Sequence, residues 1–452
     1  MACHHLPPIG GTRPTTADPF RPLHRLTSHG RNRSPKKQKK VVTHVVGPRI
    51  PFDTSRIVYL LKNQLALPLG CALEKITEKP MNDNPQGSAD RAGKLLRGGL
   101  RPVAAVGRWL DRVDPGTHRR IKGLRLVTAY GIAAALGTLQ DIAHSVPSSV
   151  SLGYLAGNFA LWASVSEGKT TRAESSRDLM LLSFAAALGA GLFVVFSRPL
   201  QVAGRAGPEL VLVTGAFLVG YLKRFGVLGA GVGSQIYIGE LLAYGARLTS
   251  DDLWAIGIAT LIAALASVVP RVLSGPAERP VETAALAAGP TPVAGRCSPE
   301  FFMGLQAAIG ALIIVVLNGW IGLDESAWAI TACTYVVAGS ATGTIQRVRR
   351  RILGTVIGVP IGLACLPVAE HAPLLIWAAA ALAMVIYAMA LPERYDIACA
   401  AFAFALIVTL AASGVHSVPV LAARAWETLL GGSLGLVAAM IIFPLQSSGS
   451  GK

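Results

Sequence analysis

The chain has 452 residues, 52% of them apolar and only 15% charged, with a formal net charge of +17. A soluble domain ordinarily carries about 25% charged residues. These proportions, with a mean hydropathy of +0.49, argue against a soluble enzyme and for lipid as the main solvent. The basic excess does not mark a nucleic-acid partner, because it sits in a tail and in short stretches between apolar runs.

Residues 1–80 hold 14 Lys/Arg against four acids, with Ser34-Pro35-Lys36-Lys37-Gln38-Lys39-Lys40 as the densest basic run. Residues 1–90 read as a disordered basic tail, since their composition cannot bury enough apolar surface to order itself. Met81 begins Met-Asn-Asp-Asn-Pro, a plausible natural start, so the first 80 residues also read as an over-extended reading frame. Residues 91–119 alternate Leu95, Leu96, Leu100, Trp109 and Leu110 with Arg91, Lys94, Arg97, Arg101 and Arg108. A basic segment with an apolar face beside a membrane run reads as an interfacial piece drawn to anionic lipid.

Twelve apolar runs follow, near the length a bilayer demands of a helix. Six lie at about 121–143, 149–166, 179–197, 207–222, 226–247 and 252–272, within a first membrane half spanning 120–273. A Pro/Ala/Gly linker occupies 274–299. Six more lie at about 300–322, 326–343, 352–369, 373–391, 396–413 and 420–443, within a second half spanning 300–445, and 446–452 form a tail. The expected fold is an all-α membrane protein of about 12 transmembrane helices in two six-helix halves.

Basic residues orient it. With the amino-terminal tail in the cytoplasm, 13 Lys/Arg fall on the inner side: Lys169, Arg172, Arg177, Lys223, Arg224, Arg271, Arg279, Arg296, Arg347, Arg349, Arg350, Arg351 and Arg394. Arg198, Arg205, Arg247 and Arg424 fall outside, so both termini are expected to be cytoplasmic. An offset of 175 pairs Ala163 with Ala338, Gly168 with Gly343 and Arg172 with Arg347. Two halves of six spans share one orientation, which relates them by an axis along the membrane normal.

The stretch that starts Trp328-Ala-Ile-Thr331, passes the basic set Arg347 to Arg351 and enters Arg351-Ile-Leu-Gly354-Thr355-Val-Ile-Gly358 resembles the FUSC family, the fusaric acid resistance-like proteins that include aromatic acid exporters. Arg424-Ala-Trp-Glu427-Thr428-Leu-Leu-Gly431 is similar to that family too. The first half departs from the pattern, with Ser-Ser-Arg177-Asp-Leu-Met in the corresponding place. The resemblance implies a bacterial inner-membrane transporter exporting small organic anions such as aromatic carboxylates, working beside a periplasmic adaptor protein. A passive anion channel and a non-transporting scaffold subunit are the alternatives. Self-association into a homo-oligomer is compatible with each.

Candidate site residues follow from chemistry. Arg347 and Arg351 would attract carboxylates to an inner vestibule, with Arg172 answering from the other half; the topology signal alone also explains them. Glu240 lies in an apolar run, where a carboxylate is costly, and reads as a proton carrier or as a snorkelling side chain. Arg424 and Glu427, three apart on one helical face, make an ion pair, a gate or an anion contact. Trp328 and Thr331 offer stacking and a hydroxyl to an aromatic acid, although Trp328 also suits an interfacial anchor. Gly354, Gly358 and Gly362 recur every four residues and read as a helix-packing face.

Catalytic signatures are missing: no Walker loop, no G-x-S-x-G and no H-E-x-x-H. The six cysteines show no C-x-x-C pair. No enzyme activity, cofactor or metal is expected.

Overall fold

The computed structural model describes residues 114, 118–139, 150–168, 171–274, 298–323, 325–414 and 417–441. The basic tail, most of the 91–119 segment, the interior of the linker, the carboxy-terminal tail, Lys169, Arg279 and Arg296 lie outside the described residues.

The described residues are helical with no strand among them. Lipid offers no partner for backbone N–H and C=O groups, so an apolar run that satisfies them within itself becomes a helix. Twelve main helices correspond to the twelve apolar runs. They are α1 (His118–Gly137), α2 (Leu152–Ser166), α3 (Arg172–Leu200), α4 (Leu210–Tyr221), α5 (Gly226–Gly245), α6 (Leu253–Leu273), α7 (Pro299–Ile321), α8 (Ser326–Val336), α9 (Ala341–Ala364), α10 (Pro373–Ala390), α11 (Tyr395–Ala412) and α12 (Val418–Ile441). A short helix, Leu366–His371, joins α9 to α10. By length and composition, six helical stretches are able to cross a membrane: Arg172–Leu200, Gly207–Gly245, Ser250–Leu273, Pro299–Ile321, Pro373–Ala390 and Tyr395–Ala412. The stretch Gly207–Gly245 is a hairpin. It turns at the 3₁₀ segment Leu222–Phe225 and at Gly226, whose φ of 75° a side chain would resist.

Several boundaries differ from the sequence expectation. The run at 326–343 yields only an 11-residue helix. Val336 is followed by extended backbone, and Ser340 then caps α9 by accepting from the Gly343 N–H at 3.1 Å. Because α9 begins at Ala341, the basic residues 347–351 lie on its first turns and not in a loop. Arg271, expected in a loop, is a buried residue of α6, 3.3 Å from Glu167. Glu167, just past α2, is also 3.4 Å from Arg125 of α1, so one buried carboxylate ties three helices.

Helix packing repeats. In the first group α1 packs on α2 and α6, α2 on α6, α3 on α5 and α6, and α4 on α5. The second group reproduces every one of these pairs six helices later: α7 on α8 and α12, α8 on α12, α9 on α11 and α12, and α10 on α11. The seams between the groups are reciprocal, α4 against α7 and α10 against α1. Phe159, Phe193, Leu155 and Ile256 fill the core of the first group. Leu212, Tyr237, Ile314, Ile330 and Cys333 fill the α4–α7 seam, and Leu126 with Met384 fills the α10–α1 seam.

Candidate functional site

A cavity of about 1250 Å³ is lined from both groups. Two of its walls are α2 and α8, which hold matching places in the packing scheme. Both are short. Fifteen and 11 residues reach only about 22 and 16 Å at 1.5 Å per residue, well under a hydrocarbon core of about 30 Å. The shortness of α8 has a local cause: Ala338-Gly339-Ser340 breaks the run, and the Ala338 N–H turns to the Thr344 hydroxyl at 3.1 Å.

At the carboxy end of α8 the cavity meets three guanidinium groups, Arg347, Arg350 and Arg351. They stand on the first turns of α9 at spacings of three and four, which places them on one side of the helix. Arg347 Nη1 donates to the Val337 carbonyl at 3.3 Å, Arg350 Nη1 to the Glu393 carbonyl at 3.2 Å, and Arg351 Nη1 to the Tyr395 hydroxyl at 3.3 Å. Among the described residues, no carboxylate pairs with any of the three. Glu393, close by, is taken by Arg119 across the α1 seam, which holds its carboxyl below the usual range. The arginines thus present uncompensated positive charge to the cavity, and such a lining concentrates anions.

The middle of the cavity is aromatic. Trp162 stands edge-on to Phe402 (5.6 Å between centroids) and to Tyr387 (6.3 Å), and Trp328 lies 6.3 Å from Phe402. Trp328, Thr331 and Tyr335 share one face of α8, being three and four residues apart. Thr331 and Tyr237 bring their hydroxyls to 2.8 Å, and Tyr335 and Ser234 theirs to 2.6 Å, which joins α8 to α5. Rings with hydroxyl edges suit a planar aromatic ligand that carries a polar group.

The amino end of α8 holds the fourth lining guanidinium. Arg424 of α12 sits over the Trp328 ring, 4.8 Å from its centroid. Its Nη2 is 3.3 Å from Glu325 Oε2. Glu325 is thus one carboxylate partner of Arg424. Glu427 accepts the Glu325 backbone N–H at 2.8 Å.

The structure thus gathers Arg347, Arg351, Arg424, Trp328 and Thr331 around one space and leaves the other candidates out of its lining. Arg172 is exposed and donates to the Ser274 carbonyl at 3.1 Å. Glu240 does not snorkel: it is fully buried between α5 and α4, accepts from the Thr214 hydroxyl at 3.1 Å, and abuts Gly215. Gly354, Gly358 and Gly362 face α11, where a Cβ would collide with Asp396, Ala400 and Ile407 in turn. Sequence reasoning passed over Trp162, Tyr335, Tyr387, Tyr395 and Phe402. For Tyr335 the signal was present, since it stands four residues, about one helical turn, beyond Thr331. The others are spread over α2, α10 and α11, and nothing in the sequence brings those helices together.

Residues 309–438 fit the family model described as fusaric acid resistance protein-like. No curated protein and no solved structure matches the chain. The matched residues supply Trp328, the α9 arginines and Arg424, so this part of the chain is similar to the fusaric acid resistance protein-like family.

Proposed function

We propose that the chain is an efflux transporter of a bacterial inner membrane. It exports small organic anions, aromatic carboxylic acids above all, through the cavity between its two groups of helices. All twelve helices then serve as membrane elements, with both ends of the chain in the cytoplasm and the α9 arginines at the inner mouth. A periplasmic adaptor protein belongs to the same proposal.

One observation carries the reading. A single cavity joins uncompensated arginines to an aromatic midsection, and its walls include a matched pair of helices too short to span. Short or interrupted segments at corresponding positions of two repeats mark the binding site in transporters built this way. Carboxylates are drawn by the arginines, and rings by the aromatic walls. An inside-negative potential of 100 mV favours export of one negative charge by about 2.3 kcal/mol, enough for roughly a 50-fold gradient without another coupled ion.

Efflux of a labelled aromatic-acid panel from cells with and without the gene tests the reading. Faster loss of aromatic carboxylates, and not of neutral aromatics, is expected when the gene is present. Equal rates in both strains would refute it. Currents beyond carrier turnover would identify a channel instead.

A further inference from the structure

A second cavity of about 430 Å³ adjoins the main one. Tyr244, Gly245, Glu325 and Ala327 line both, so these four residues form the wall between them. Two of them are held by polar partners. Tyr244 donates its hydroxyl to Glu209 at 2.7 Å. Glu325 is held by Arg424 through its side chain and by Glu427 through its backbone.

Arg424 thus faces the main cavity with a carboxylate already on it, bound through Nη2 alone at 3.3 Å. Its Nε and Nη1 are shielded from solvent and have no hydrogen-bond partner among the described residues. A guanidinium can grip a carboxylate with two parallel N–H bonds, and this one makes a single bond while its Nε and Nη1 stay unbonded. Trp328 lies flat beneath it.

We propose that Arg424 and Trp328 form a subsite for the carboxylate of an aromatic acid, which Glu325 fills in the closed wall and vacates when a ligand carboxylate takes its place. This rests on the transport reading above. It adds which group the ligand displaces and where the ligand goes next. Exchanging one carboxylate for another leaves the charge on Arg424 balanced throughout, so neither step strands a desolvated guanidinium. The displaced Glu325 swings toward the smaller cavity, whose lining carries Arg198 and Arg247. Neither forms an ion pair among the described residues. They receive Glu325 or the departing anion in turn, and a ligand leaving the main cavity passes where Glu325 stood.

The test is equilibrium binding of benzoate, and of its neutral isostere benzamide, to the purified full chain in detergent. E325Q keeps the side-chain shape and removes the internal competitor. Its benzoate affinity is expected to rise about tenfold, a gain of about 1.4 kcal/mol, with benzamide unchanged. R424Q is expected to bring benzoate down to the level of benzamide. E325D keeps the charge but draws it back by one methylene; its expected gain is intermediate, and it carries the test if E325Q does not fold. Unchanged benzoate affinity in E325Q and E325D, or equal changes for both ligands, would overturn the exchange and leave the transport reading standing. A wild-type chain that binds neither ligand would overturn both.

Discussion

Behind the wall between the cavities, Glu209 Oε1 accepts from the Tyr244 hydroxyl, the Asn318 amide and the Ser326 hydroxyl, each at 2.7 Å. Glu209 is 2% exposed, and its donors come from α5, α7 and α8, so this carboxylate binds both groups of helices. Removing one partner of a buried hydrogen bond costs the desolvation of whatever is left behind. Glu209→Ala is expected to lower stability by about 3 kcal/mol or more, read as a drop in Tm in detergent; an unchanged Tm would mean the three donors find other partners. In the sequence Glu209 lies inside the run at 207–222, next to Gly207-Pro208 at its start, and nothing there sets it apart from a carboxylate at the end of a span. Glu240 was legible as an unusual carboxylate, but not its setting. Its Thr214 partner lies on the preceding helix, and Gly215 makes the room.

Among the elements, the tightest crossings are made by glycine. A Cβ on Gly189 of α3 would strike the Ile236 carbonyl of α5, and one on Gly239 of α5 would strike the Ala186 carbonyl of α3. The corresponding pair, α9 and α11, uses Gly354 and Gly358 in the same way. Such close approach gains dispersion and admits no side chain. Gly189→Ala and Gly358→Ala are each expected to destabilise by about 1–3 kcal/mol, the usual cost of overpacking. Gly191 sits on α3 with open space around it, so Gly191→Ala should be neutral or stabilising by up to about 1 kcal/mol, since alanine is the better helix former. Thermal melts of the three variants check this; equal effects at Gly189 and Gly191 would contradict the crossing. The four-residue spacing made the α9 face readable in advance. Where α8 stops was not readable, because Val337 and Ala338 are as apolar as the helix before them. The break is set by Ser340 and Thr344 taking up N–H groups from outside the helix.

Across the whole molecule, the repeat is far clearer in three dimensions than in sequence. An offset of 175 aligns a few small residues and one arginine, yet each main helix pair of the first group recurs in the second. Helix packing needs only apolar volume and small residues at the crossings, so many sequences keep the same arrangement. The candidate site residues diverge instead. The α9 arginines have one sequence counterpart, Arg172, and it lies outside the cavity. The charged end of the site thus belongs to the second group alone, the part that matches the fusaric acid resistance protein-like family.

The central claim is that aromatic carboxylates cross the membrane through this cavity, drawn by the α9 arginines. Flux of labelled benzoate from proteoliposomes under an imposed potential tests it, with the wild-type chain beside an Arg347→Ala, Arg351→Ala double variant shown to be inserted and monodisperse. We expect potential-driven benzoate flux through the wild type, little flux of benzamide, and a loss of at least about tenfold in the variant, as removal of charges that focus an anion would give. Equal benzoate flux through both proteins, or none above empty vesicles, would contradict the account.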